Sequence, residues 1–258
     1  MKAVELIKIL EEGALTPSPT CDTVKSGDPE KTVKKVGVTM FATIEVLKKA
    51  MEWGADMLIV HEPTYYDHMD VIKEDPVILA KKELVENSGI LIYRYHDNMH
   101  CRPNNDLITK GQAKYLGLSG KIRATEFFGS SMMDSDTPVS AGELVRKMKY
   151  ELGINHVRVA GEIDKKYTRI ALCFGTPGGV VDLLRGEAQI VITGEASEWR
   201  LSEYARDAAL LGMDKALIVM GHIGSEAGGM IVLAEELGEK YKDLDVRYFE
   251  SGAVYHNI

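Results

Sequence analysis

Three apolar runs in this chain end in histidine and carboxylate side chains. Leu58-Ile59-Val60 leads into His61-Glu62-Pro63, and Leu91-Ile92-Tyr93-Arg94-Tyr95 leads into His96-Asp97-Asn98-Met99-His100. Leu217-Ile218-Val219-Met220 leads into Gly221-His222-Ile223-Gly224-Ser225-Glu226. A fourth run, Ile190 to Ile192, meets Thr193-Gly194-Glu195. Imidazole and carboxylate without thiolate suit Zn, Fe, Mn, Ni or Co, and carboxylates can bridge a pair of such ions. His222 and Glu226 are four residues apart, so a helix beginning there would present both on one face. His96 and His100 have the same spacing. One histidine after a strand is ordinarily a surface residue. The same arrangement at three strand ends is a pattern, and it holds four of the seven histidines; the others are His68, His156 and His256.

The elements that must position these side chains alternate along the chain. Val36 to Met40, Met57 to Val60, Gly89 to Tyr95, Arg169 to Phe174, Gln189 to Thr193, Lys215 to Met220 and Val246 to Glu250 read as strands. Met1 to Glu12, Thr43 to Trp53, Pro76 to Asn87, Asp106 to Leu116, Gly178 to Arg185, Ser197 to Leu211 and Ser225 to Tyr241 read as helices. Ser140 with Glu143 three residues on predicts a capping box opening a helix to Leu152. Lys121 to Gly129 and His156 to Ala160 are further strand candidates. Alternation of this kind predicts α/β layers, and in open α/β sheets ligands bind beyond the carboxyl ends of strands. His61, Glu62, His96, Asp97, His100, Glu195, His222 and Glu226 can therefore share one crevice. Ser130 to Pro138 is polar and turn-rich, the best candidate boundary between halves of about residues 1–129 and 130–258. Leu15 to Lys31 reads as a surface loop.

Composition excludes several classes. Apolar residues make up 45% and charged residues 27%, as in soluble globular proteins. Lys and Arg total 31 against 39 Asp and Glu, a net charge of −8, which argues against a basic nucleic-acid footprint and against an anionic membrane surface. No apolar stretch reaches the ~18 residues of a membrane span, and the first twelve residues lack a signal-peptide core. Cys21, Cys101 and Cys173 form no metal or disulfide spacing, so a reducing cytoplasm is the expected compartment.

Other motifs have two readings. Gly175-Thr176-Pro177-Gly178-Gly179 is either an anion cradle or, the favoured reading, a tight strand-to-helix turn. Tyr65 and Tyr66 either line a pocket or anchor a loop. Trp53 and Trp199 are expected in the core. Lys34-Lys35 and Lys165-Lys166 read as solvated turns.

The ordered motifs over residues 36–258 resemble the Nif-three-like family of dinuclear-metal-centre proteins, also labelled GTP cyclohydrolase 1 type 2 homologues. The family's His-His-Pro appears here as His61-Glu62-Pro63, and its His-Thr-Asn-Leu-Asp as His96-Asp97-Asn98-Met99-His100. Its Gly-rich turn and Thr-Gly-Asp/Glu match Gly175 to Gly179 and Thr193-Gly194-Glu195, and Gly-His-x-x-Ser-Glu is intact at Gly221 to Glu226. The resemblance implies two intertwined α/β units with mixed sheets, and a ring-shaped homohexamer. It implies two divalent ions per chain held by His61, Glu62, His100, His222 and Glu226, with His96 nearby. Two ligand positions depart from the family pattern. Glu62 stands where the family has His, and His100 where it has Asp, an exchange that keeps two imidazoles and one carboxylate. The family's histidine after Thr-Gly-Asp/Glu is Trp199 here, and the family's early Asp-Asn segment is poorly matched in Leu15 to Lys31.

Two functions fit these expectations. One is a metal-dependent hydrolase of a small molecule, with Glu195 or His96 as general base or acid. The other is a non-catalytic ring that stores, delivers or inserts metal, or serves as a scaffold.

Overall fold

Local chemistry sets the element boundaries. Thr43 accepts a hydrogen bond from the Val46 N–H and opens α2, while Asp75 accepts from Val77 and Ile78 ahead of Pro76 at the start of α3. Asp106 caps α5 through the Thr109 N–H, and Ser140 with Glu143 forms the expected capping box of α6. The computed structural model describes residues 1–102 and 106–255, so His256 lies outside the described residues.

In chain order the elements are α1 Ala3–Glu11, β1 Val24–Ser26, β2 Lys35–Thr39, α2 Ile44–Trp53, β3 Met57–Val60, α3 Pro76–Ser88, β4 Leu91–Arg94, α4 Asp97–His100 and α5 Leu107–Tyr115. There follow β5 Gly120–Ala124, β6 Ser131–Val139, α6 Ala141–Glu151, β7 Arg158–Gly161, β8 Tyr167–Cys173, α7 Val180–Arg185 and β9 Ile190–Thr193. A π-helical turn, Glu198–Ser202, leads into α8 Glu203–Leu210, then β10 Ala216–Val219, α9 His222–Lys240 and β11 Asp245–Tyr248.

The described residues cluster into two compact units. The first holds residues 1–102 and 230–254, the second residues 106–229 with Tyr255. In the first, a five-stranded sheet runs β1-β4-β3-β2-β11, with β1 antiparallel and the other four parallel. All residues of β3 and β4 are buried, which is why both read as continuous apolar runs. Val46, Leu47 and Ala50 of α2 pack on Leu58 and Val60 of β3 and Ile92 of β4. In the second unit a six-stranded sheet runs β5-β6-β8-β9-β10-β7; β8, β9 and β10 are parallel and the other pairings antiparallel. Its core joins Val181 and Leu184 of α7 to Val191 of β9, Leu217 of β10 and Ala205 of α8. Both sheets are mixed, as expected for the fold class.

Three readings of the sequence are corrected. Ser130 to Pro138 is not a boundary but most of β6, paired on both sides by β5 and β8. Its buried Ser131 and Ser135 are small enough to face inward, so the strand carries no strong apolar alternation. Leu15 to Lys31 is not simply surface loop, because it contributes β1 and the buried Cys21 and Asp22. Trp199 is 79% exposed, whereas Trp53 packs edge-on against Phe249 at 5.6 Å between ring centroids. The three cysteines are free, and no helix among the described residues is long and apolar enough to cross a membrane.

The segment after β3 packs against two buried lysines. Lys25 Nζ lies 2.9 Å from Asp70 Oδ2, both side chains buried, and Lys81 of α3 is 4% exposed with its ammonium 4.7 Å from the Tyr66 ring centroid. Burial pushes Lys81 down to about 8, against partial support from Asp70. The unfolded chain keeps this proton up to the ordinary value of 10.5, so between those pH values the folded chain binds fewer protons. Stability contributed by this group therefore rises as pH rises from 8 toward 10.5. Lys81→Met is expected to raise unfolding free energy at pH 7 by about 1–3 kcal/mol, an advantage that shrinks as pH approaches 10. Denaturant unfolding at both pH values checks this; a pH-independent difference would contradict it.

Candidate metal centre

In the first unit, parallel pairing of β3 with β4 puts the carboxyl ends of two neighbouring strands side by side, Val60 opposite Arg94. His61 follows one strand and His96 follows the other. His61 is fully buried, and its Nδ1 lies 3.0 Å from the Tyr95 carbonyl oxygen. A carbonyl only accepts, so Nδ1 carries the proton and the Nε2 lone pair faces the site. Burial, reinforced by His96 and His100, holds the His61 imidazole well below its ordinary range, which keeps it neutral and able to ligate. His96 Nδ1 lies 2.9 Å from Asp97 Oδ1, directing its own Nε2 in the same manner. The hydrogen bond from His96, with further donors in the Thr20 hydroxyl and the Cys21 N–H, holds the Asp97 carboxyl well below the usual range.

His100 completes the cluster. Ring centroids stand 4.6 Å apart for His61 and His96, 5.3 Å for His61 and His100, and 5.0 Å for His96 and His100. One ring nitrogen from each lies within 4.8 Å of the other two. His96 and His100 sit at the two ends of a single helical turn, α4, which would not persist alone. Asp22 holds it. Its buried carboxylate accepts from the backbone N–H of His96, Asp97 and Asn98 at 2.8–2.9 Å and from Asn98 Nδ2 at 2.7 Å. Sequence reasoning missed Asp22, and only its acidic character in a Thr-Cys-Asp segment hinted at a cap.

Glu62, 7% exposed, is oriented from the other side by Arg94. This fully buried guanidinium donates from Nε to the His61 carbonyl at 2.9 Å and from Nη1 to the His68 carbonyl, and its Nη2 lies 3.6 Å from Glu62 Oε2. Arg94 was also missed, although a single arginine inside an apolar strand was a legible signal. His68 stands 5.8 Å from His96, centroid to centroid. A second possible grouping, Cys21, Asp22, His96 and Asp97, fits a metal poorly. Its carboxylates are committed to the α4 backbone, Thr20 and His96, and burial pushes the Cys21 thiol up to about 12.

The second unit repeats the strategy. Parallel β8, β9 and β10 lead into Phe174-Gly175, into Gly194-Glu195 and into the start of α9. His222 Nδ1 lies 2.8 Å from Glu195 Oε1, and Nε2 lies 3.3 Å from Oε2 of Glu226, one helical turn on. This nitrogen and oxygen form a pair of donor atoms of the kind that hold a divalent cation. Glu226 is 3% exposed.

The glycine turn serves this carboxylate. Gly175 has φ +66°, and a Cβ there would overlap Glu226 Oε1. Its N–H is taken by Ser225 Oγ at 2.9 Å, and Ser225 in turn donates to the His222 carbonyl. A Cβ on Gly194 would come within 2.6 Å of the same Ser225 oxygen. Gly175 is thus a close-approach position for Glu226, and its N–H is already committed to Ser225.

Of the expected site residues, the first unit gathers His61, Glu62, His96 and His100, and the second gathers Glu195, His222 and Glu226. Tyr65 is buried, its N–H bonded to Asp70 Oδ1, so it anchors the loop; Tyr66 is 63% exposed. Lys165 and Lys166 pair with Asp214 and Glu143.

The whole architecture has known relatives. Residues 4–253 match the family model described as Duf34/NIF3 (NGG1p interacting factor 3). A Clostridium perfringens protein named GTP cyclohydrolase 1 type 2 homolog is 25% identical over 87% of this chain and 85% of its own length. An Escherichia coli K12 protein of the same name is 28% identical over 97% and 98%. A crystal structure of the Staphylococcus aureus protein SA1388 superposes with TM-score 0.76 at 19% identity, covering 100% of this chain and 99% of that one.

Carboxylates that orient a ligating histidine typically contribute 10–100-fold to metal affinity. Glu195→Gln is therefore expected to weaken zinc binding about 10–100-fold, measured by competition with a chromophoric chelator. Gly175→Ala should act in the same direction by displacing Glu226. Unchanged affinity in both would contradict the anchoring role.

Proposed function

The chain belongs to the Duf34/NIF3 family, and on that premise we propose that it binds divalent metal through His61, Glu62, His100, His222 and Glu226 and acts as a metal-dependent hydrolase of a small molecule. The observation that carries this reading is the fixed orientation of the imidazoles. His61, His96 and His222 each engage an oxygen through Nδ1, at 3.0, 2.9 and 2.8 Å, which turns Nε2 toward the neighbouring donors. Ligating histidines are oriented in this way. Three imidazoles and two carboxylates suit Zn, Fe, Mn, Ni or Co, and the carboxylates can be shared between two ions. The exchange of Glu62 and His100 relative to the family motifs leaves the ligand charge unchanged, which favours two retained positions over the loss of one.

A bound divalent ion supplies Lewis acidity toward a substrate oxygen and lowers the pKa of water toward roughly 7. The chain supplies proton handling. His96 is held at Asp97 through Nδ1, leaving Nε2 as its other proton-exchanging nitrogen, and Glu195 has a half-exposed carboxylate held at His222. These are the candidate acid and base. The relatives' printed name suggests a nucleotide substrate, and a homohexamer accompanies the family resemblance.

Elemental analysis of freshly purified protein tests the metal centre. Two divalent ions per chain are expected, falling below one in Glu226→Ala. Fewer than one ion per wild-type chain would overturn the proposal. Hydrolysis of nucleotides and phosphoesters by metal-loaded protein, beside Glu226→Ala, tests catalysis; full metal content with no turnover above that variant would favour the storage or scaffold reading.

A further inference from the structure

Beside the His222–Glu195 pair, the second unit contains an open cavity of about 410 Å³. That is within the range of small-molecule sites. Its polar lining includes Arg200, Thr176, Ser197 and Glu195, and its apolar wall includes Val180 and Leu201. The two charged side chains differ in their commitments. Glu195 is held at His222 Nδ1. Arg200 makes no ion pair or side-chain hydrogen bond among the described residues, and Glu198, two residues before it, is taken by Arg158. Arg200 sits on the π-helical turn Glu198–Ser202. Such turns are uncommon and often occur at functional positions.

We propose that this cavity receives the phosphoryl group of a small phosphate ester, with Arg200 as its principal partner and Thr176 and Ser197 as further hydroxyl donors. A guanidinium presents a planar fork of donors that matches a phosphoryl group in pairs. Two hydroxyls in the same lining offer donors for a third oxygen, which a phosphoryl group has and a carboxylate lacks. Val180 and Leu201 would face the organic part, which inorganic phosphate lacks. The Glu195 carboxylate repels an anion at its own end, so the Arg200 end takes the charge. As a substrate assignment this rests on the metal-dependent hydrolase reading, but binding of the ester does not require metal.

Isothermal titration of as-purified protein with phenyl phosphate, inorganic phosphate and phenol tests the assignment, with metal content measured on the same samples. Phenyl phosphate is expected to bind, inorganic phosphate more weakly, and phenol not measurably. Arg200→Met should weaken phenyl phosphate at least tenfold at unchanged metal content, and Arg158→Met should leave it within twofold. Equal binding by wild type and Arg200→Met, equal loss in both variants, or inorganic phosphate binding as tightly as the ester would each overturn it. Ester binding by as-purified protein that holds fewer than one metal ion per chain would sink the hydrolase reading while leaving the cavity assignment standing.

Discussion

An imidazole is useful to a metal only when one nitrogen is held and the other is aimed. In this fold the hold is an oxygen at each Nδ1: a backbone carbonyl for His61, and carboxylates for His96 and His222. Each oxygen has its own reason to be where it is. Tyr95 is the first residue past the end of β4, and its carbonyl accepts from His61. Asp97 is the first residue of α4. Glu195 follows β9, the parallel neighbour of β10. The candidate ligand atoms thus depend on the pairing of buried parallel strands, and every strand register that moves would turn an imidazole away.

The supports beneath these groups are charged and buried, which is costly unless each is answered. Arg94 fastens the His61 and His68 carbonyls and faces Glu62. Asp22 substitutes for the absent cap of a one-turn helix by accepting three successive backbone N–H groups. Ser225 joins the Gly175 N–H to the His222 carbonyl. These side chains determine where the donors point. Removing one partner of such a group strands the other in a dry interior, so the supports and the donors stand or fall together.

Much of this was legible in the sequence. The strands ending in His61, His96 and His222 are short apolar runs, and the capping residues Thr43, Asp75, Asp106 and Ser140 announce their helices. The i, i+4 relation of His222 and Glu226 is realised on α9. The illegible parts share a cause: their partners are distant in the chain. Strand β6 has polar residues because its backbone is satisfied on both edges and its serines are small. Asp22 lies over seventy residues from the helix it caps. The π-helical turn at Trp199 looks helical by periodicity, and nothing local reports the one-residue widening that brings Arg200 to the cavity. Gly175 reads as part of a tight strand-to-helix turn, and nothing local reports the Glu226 carboxylate pressed against it.

Long-range ¹H–¹⁵N correlation spectra of the histidine rings, recorded while zinc is added to chelator-treated protein, examine the imidazole arrangement most directly. For His61, His96 and His222, Nδ1 should remain protonated throughout. The Nε2 resonances of His61 and His222 should shift as zinc binds. Proton loss at Nδ1, zinc shifts appearing there instead of at Nε2, or rings that ignore zinc altogether would contradict the arrangement.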